Sequence, residues 1–212
     1  MHRTTVTTNY PWLPHNVDPS LPVPEEYQNM PLQPLGDVQS RYERYIQGCV
    51  DYYEEQKEGK GQICLSVEKD RLDMTLRQPQ SMRNYTKTGY TKIRAPDHVF
   101  QLLKNFWEKN KENQKIEELF EGNVYLNNWE SPTYMVSLED PSLEGSGPVL
   151  KQHVWNAARD TLEQWTGQKQ IECSLFGIRV YKNGAMLAPH VDRNPLVASA
   201  IINIDQDVDE PW

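Results

Sequence analysis

A chain of 212 residues, 37% apolar and 25% charged, is globular in composition and long enough to bury roughly 70% of its unfolded surface, which excludes a disordered or membrane-like class. A net charge of -8 excludes a nucleic-acid backbone as the main partner, because phosphate binding needs clustered Lys and Arg. No stretch approaches the ~18 apolar residues of a membrane span, and Met1 to Ser20 lacks the apolar run of a signal peptide, so no membrane span is expected and the compartment stays open.

Seven prolines between residues 10 and 36 fix φ and remove donors, so residues 1–37 read as an extended segment. From Val38 to about Gln56 the pattern is helical, with Tyr42, Tyr45, Ile46, Cys49, Val50 and Tyr53 on one side; Gly59 and Gly61 follow. Ile63 to Val67 is a short apolar run, read as a strand, and Gly89 to Ile93 is strand-like until Pro96. Asp97 is expected to cap a helix whose Val99, Leu102, Leu103, Phe106 and Trp107 form one buried face. Residues 108–118 read as its solvated continuation, and 122–134 as an irregular, aromatic-rich connector.

After a loop from Pro141 to Pro148, Leu150, Val154, Ala157, Thr161 and Trp165 mark a second amphipathic helix, stopped by Gly167. The texture then changes. Ile171 to Tyr181 alternates and is rich in β-formers, Asn183-Gly184 is a hairpin turn, and Met186 to Val191 is the return strand. Val197 to Ile204 is nearly all apolar, as a strand buried on both faces would be. Helices followed by a sheet predict an α+β fold, with a helical support region over 38–170 and a β region over 171–212.

The three cysteines, Cys49, Cys64 and Cys173, are odd in number, far apart and form no CxxC pair. That argues against a disulfide framework or a zinc knuckle and leaves room for one disulfide. Asn84-Tyr85-Thr86 fits the glycosylation triplet, which matters only in a secreted chain. Asp205, Asp207 and Asp209 have the spacing of a calcium loop, but Glu210-Pro211 follows where that loop needs glycine, so an acidic solvated turn is the expectation.

His190-Val191-Asp192 is the pair that carries chemistry. In a strand, residues two apart point to one side. An imidazole nitrogen and a carboxylate oxygen would then converge as two of the three ligands of a 2-His-1-carboxylate Fe(II) site. Around the pair, Tyr181, Gly184, Ser199 and the apolar run Ile201 to Ile204 complete a pattern over residues 177–204. This pattern resembles the core of the prolyl 4-hydroxylase family of Fe(II)- and 2-oxoglutarate-dependent dioxygenases.

The resemblance implies helices packed on a double-stranded β-helix, a jelly-roll or cupin-like barrel. It implies Fe(II) on His190 and Asp192, 2-oxoglutarate in contact with Tyr181, ascorbate as a candidate companion, O2 as co-substrate, and a protein, peptide or small-molecule substrate, with peptidyl proline one candidate. Beside this, the alternative for Tyr181 is a core tyrosine with its OH tied to backbone. Arg179 is a candidate to grip a carboxylate bidentately, or a salt-bridge or rim residue. Asn203 stands where the family often has tyrosine, which makes its amide a departure as a cosubstrate contact. Arg193 either gates substrate or is a surface residue.

The family also places a second histidine, and then a basic residue for the far carboxylate of 2-oxoglutarate, after the HxD pair. Here the other histidines, His2, His15, His98 and His153, all precede it, and His98 and His153 read as helix-surface residues. The barrel is therefore expected to be incomplete and the chain a fragment. Two other readings stay open: a catalytically silent binding module, and a cupin-like metalloprotein with other chemistry.

Overall fold

The computed structural model describes Pro22, Glu25 and residues 38–188 and 190–209. The remainder of the Pro-rich segment 1–37 lies outside the described residues, as do Glu210 to Trp212. The chain forms two compact units, each assembled from three stretches, so neither follows one continuous range such as 38–170 or 171–212.

The first unit comprises residues up to Gly89, Leu119–Glu130 and Met186–Val191. Its α1, Val38–Gln56, has the expected bounds, and Tyr45, Cys49 and Tyr53 recur every four residues on the buried side. At the turn that follows, the Glu54 carboxylate accepts N–H bonds from Gly59 (2.7 Å) and Gly61 (2.9 Å). α2, Gln62–Ser81, then buries Cys64, Glu68 and Arg71 at helical spacing. Ile63 to Val67 is thus helix, not strand. A short apolar run satisfies both periods, and the deciding residues lie beyond it: Glu68 and Arg71 extend the face that Cys64 begins. Cys49 and Cys64 are joined in one disulfide with both residues fully buried, while Cys173 is exposed and free.

Around that bridge pack Tyr45, Tyr53, Val124 and Ala188. Trp129 stands 5.3 Å from the Tyr45 ring, and a Cβ on Gly48 would collide with its indole. Glu68 and Arg71 form an ion pair, each side chain only 5% exposed. Their charges and burial act on the neighbouring tyrosines: burial first, then the Glu68 charge, pushes Tyr42 up to about 12, and Tyr45 is raised by burial too. Gly89 to Ile93 pairs with no strand among the described residues, and Ile93 is exposed.

The second unit comprises residues 90–118, 131–185 and 192 onward. α3, Asp97–Asn110, presents Val99, Leu103, Phe106 and Trp107 inward. Pro96, rather than Asp97, occupies the N-cap, and Asp97 makes no capping bond. Its carboxylate sits in the first turn instead, where it opposes the positive end of the helix dipole. The helix ends at Asn110, whose amide donates to the Phe106 and Glu144 carbonyls and accepts the Glu144 N–H, fastening the loop before α4. α4, Pro148–Thr166, opens with proline at its N-terminus and stops at Gly167, which has the left-handed φ of 65° that glycine tolerates without strain.

Three short antiparallel strands complete this unit in the order β1 (Lys115–Ile116), β2 (Tyr134–Ser137), β3 (Gly177–Val180). The register sets Tyr134 opposite Val180 and Ser137 opposite Gly177. Val99, Leu103, Phe106, Trp107, Val136, Leu138, Leu143, Val154 and Ile204 make one apolar core between helices and sheet. The fold class is α+β, with β1 and β2 preceding α4 rather than all strands following all helices.

Two expected strands do not form among the described residues. Met186 to Val191 contributes one isolated bridge, Leu187 to Leu126, and does not return along β3. Val197 to Ile204 is irregular and buried on one side only: Ile204 enters the core and Ile202 packs against it, while Ile201 is 97% exposed. A strand buried on both faces needs cover on both.

Candidate functional site

The turn at Asn183-Gly184 forms as its dipeptide dictates. Gly184 takes φ of 83°, Ala185 N–H donates to the Lys182 carbonyl at 2.9 Å, and Ser131 Oγ holds the Asn183 carbonyl. Chain leaving the turn is steered by one side-chain amide and one backbone carbonyl: Met186 N–H donates to Asn127 Oδ1 at 2.9 Å, and Ala188 N–H to the Tyr125 carbonyl at 2.7 Å.

This positions His190 through Tyr125 twice. The Ala188 carbonyl lies 2.8 Å from His190 Nδ1, and the rings of Tyr125 and His190 meet edge to face at 5.5 Å and 85°. A carbonyl only accepts, so Nδ1 is the donor in this contact. A metal-binding histidine is held in the same way, its second ring nitrogen tied to a carbonyl or carboxylate.

Asp192 is exposed, as is His190. The alternation argument for their convergence has no strand under it, because the backbone through this segment is irregular, and the boundary between the two units falls between Val191 and Asp192. Among the described residues no group of three or more His, Cys, Asp and Glu gathers as a metal site. The donor pair fits Fe(II) in kind, imidazole nitrogen plus carboxylate oxygen, and supplies two of the three protein donors of the facial triad. His98 and His153 are exposed on α3 and α4, and Arg193 is exposed.

The three candidate cosubstrate residues come together. Tyr181, Arg179 and Asn203 all line one cavity of about 520 Å³ in the second unit, whose walls include Trp107, Ile178 and Ile202. Each polar group is already engaged. Arg179 reaches Glu117 with both arms of its guanidinium, Nε to Oε2 at 2.7 Å and Nη2 to Oε1 at 2.6 Å. Burial alone would lower the Arg179 pKa, but Glu117 and the Tyr181 hydroxyl outweigh it and hold the guanidinium protonated. Arg179 therefore does grip a carboxylate bidentately, and that carboxylate is the protein's own. The Asn203 amide donates to Gln206 Oε1 at 2.8 Å.

Residues not named as iron or cosubstrate contacts support these positions. Glu117, in a stretch read only as solvated helix, also accepts from Thr133 Oγ1 and so fixes the Arg179 fork. Asp205 is not simply a solvated turn residue. It accepts the Trp107 indole N–H at 2.7 Å and pairs with Lys104 at 3.2 Å, and these two donors hold its pKa below the usual carboxylate range. Tyr125 carried one signal, its place in the aromatic-rich connector, but nothing local joins it to a histidine 65 positions later.

No protein-family model, curated protein or solved structure matches the chain.

Proposed function

We propose that the chain belongs to an Fe(II)- and 2-oxoglutarate-dependent dioxygenase of the prolyl 4-hydroxylase type, hydroxylating a C–H bond of a protein, peptide or small molecule. The observation that carries this reading is the His190 ring. Its Nδ1 is held by the Ala188 carbonyl and its ring stands edge to face against Tyr125, the kind of hold that orients a metal-ligating histidine. The order Tyr181, Gly184, His190, Asp192 and Ser199 supports it from the sequence.

Under this reading the domain is a double-stranded β-helix backed by helices, and the three-stranded sheet is a portion of it. His190 and Asp192 hold the metal. Bound Fe(II), with 2-oxoglutarate and O2, supplies the oxidising power that protein side chains lack. Tyr181 offers its phenol to a 2-oxoglutarate carboxylate, with the Asn203 amide a second donor on the same cavity. Arg179 takes a cosubstrate carboxylate only by releasing Glu117.

The closed Arg179–Glu117 fork favours a second reading, a catalytically silent binding module. Anaerobic titration of the whole protein, as its cells make it, with Fe(II) and 2-oxoglutarate separates the two. The oxygenase reading expects a visible charge-transfer band that disappears in His190→Ala and Asp192→Asn, and succinate once O2 is admitted. Absence of both band and succinate sinks it.

A further inference from the structure

We propose that Asn84 carries an N-linked glycan and that this chain folds in an oxidising lumen. Asn84-Tyr85-Thr86 is the single Asn-x-Ser/Thr triplet of the sequence. On its own such a triplet has no meaning, because it is read only in chains that enter a secretory compartment. The disulfide between Cys49 and Cys64 supplies the missing condition independently. Glutathione and thioredoxin keep such pairs reduced in the cytosol, whereas oxidising lumens form and preserve them. Here the bridge joins α1 to α2 in the middle of the first unit's core, with both cysteines fully buried, so it is part of how this unit folds rather than a surface accident.

The position of Asn84 suits a bulky, polar adduct. It is exposed and lies in the irregular segment just past the end of α2 at Ser81. The middle residue of the triplet, Tyr85, is covered by Arg83, whose guanidinium carbon sits 4.9 Å from the ring centre. Thr86 Oγ1 accepts the Gly89 N–H at 2.9 Å and rounds off the turn. A sugar on Asn84 therefore extends from a solvent-facing turn and displaces nothing from the apolar core. The modification joins Asn84 Nδ2 to the anomeric carbon of an oligosaccharide donated by a lipid diphosphate. The carbon–oxygen bond to the diphosphate breaks, the amide gives up one proton, and the lipid diphosphate leaves. This inference is independent of the oxygenase reading.

The test uses the protein isolated from the cells that make it. Treatment with a peptide N-glycosidase in 18O-labelled water should convert Asn84 to an 18O-labelled aspartate in the peptide spanning it, with loss of one mobility step on a gel. Mass analysis without reductant should find Cys49 and Cys64 in one cross-linked species. Asn84→Gln and Thr86→Ala, made in the same cells, should lose the mobility step, while Thr86→Ser should keep it, which separates recognition of the triplet from damage to the turn. Unmodified Asn84 in the native protein overturns the proposal. So does alkylation of Cys49 and Cys64 as free thiols before any reductant is added.

Discussion

The unit built on α1 and α2 has an interior of Cys49, Cys64, Tyr45, Tyr53, Val124 and Ala188, and it contains a disulfide and a buried ion pair. The unit built on α3, α4 and the sheet has Val99, Leu103, Phe106, Trp107, Leu138 and Ile204 inside and, among the described residues, neither device. The contrast follows from what each stretch can bury. A helix pair with few large aliphatic side chains gains little from burial alone, and a cross-link compensates by narrowing the unfolded ensemble. Helices laid on a sheet enclose a layer of large side chains and need no staple.

Large single changes test this first. Phe106→Ala should destabilise the second unit by ~3–5 kcal/mol in urea denaturation, because nothing nearby refills an aromatic-sized cavity. Arg71→Met should cost a similar ~3–5 kcal/mol by leaving Glu68 charged and unpaired in the interior. The two should differ in rescue: Glu68→Leu combined with Arg71→Met should recover most of the loss, since a buried pair can be replaced by apolar groups of like volume. A double variant as unstable as the single would mean that the pair contributes more than neutralising itself.

The disulfide comes next. Its partners are 15 positions apart, and closing a loop of that size stabilises by about 3 kcal/mol. Cys49→Ala with Cys64→Ala should lose that amount and become insensitive to reductant. Amide exchange should show the lost protection in α1 and α2 and leave α3 and α4 unchanged. Equal loss in all four helices would contradict the assignment of the staple to one unit.

A smaller effect is expected where the first unit meets the proposed chemistry. Tyr125→Leu removes the edge-to-face support of His190 and should weaken metal binding by about 10-fold, the lower end of what such supporting groups contribute. Tyr125→Phe should retain affinity, because the ring, not the hydroxyl, makes the contact.

The smallest effects separate the units by pH. Burial and Glu68 raise Tyr42 to about 12, so its contribution is fully present below the ordinary tyrosine pKa of about 10 and is lost as pH rises through the folded value. Trp107 and Lys104 lower Asp205, so its contribution is fully present above the ordinary aspartate pKa of about 3.9 and is lost as pH falls through the folded value. Melting curves across pH should therefore show Tyr42→Phe flattening the alkaline limb and Asp205→Asn the acid limb. The reverse assignment would refute both couplings.

Local pattern by itself determined several elements of this protein. The spacing of Tyr45, Cys49 and Tyr53 defines α1 to its ends, Gly167 stops α4, and Asn183-Gly184 makes a turn, because each depends only on residues a few positions apart. The candidates Tyr181, Arg179 and Asn203 could likewise be named from their types and offsets. What the tertiary structure decided is every partner. Cys64 is bridged to Cys49 because the buried faces of α1 and α2 meet. Arg179 is occupied because the sheet brings Glu117, 62 positions away, to its guanidinium. His190 is oriented by Tyr125 and Ala188, and Ile201 is left exposed where an apolar run alone implied burial. Periodicity records which face of a segment seeks cover; what covers it is set by contacts that no local window contains.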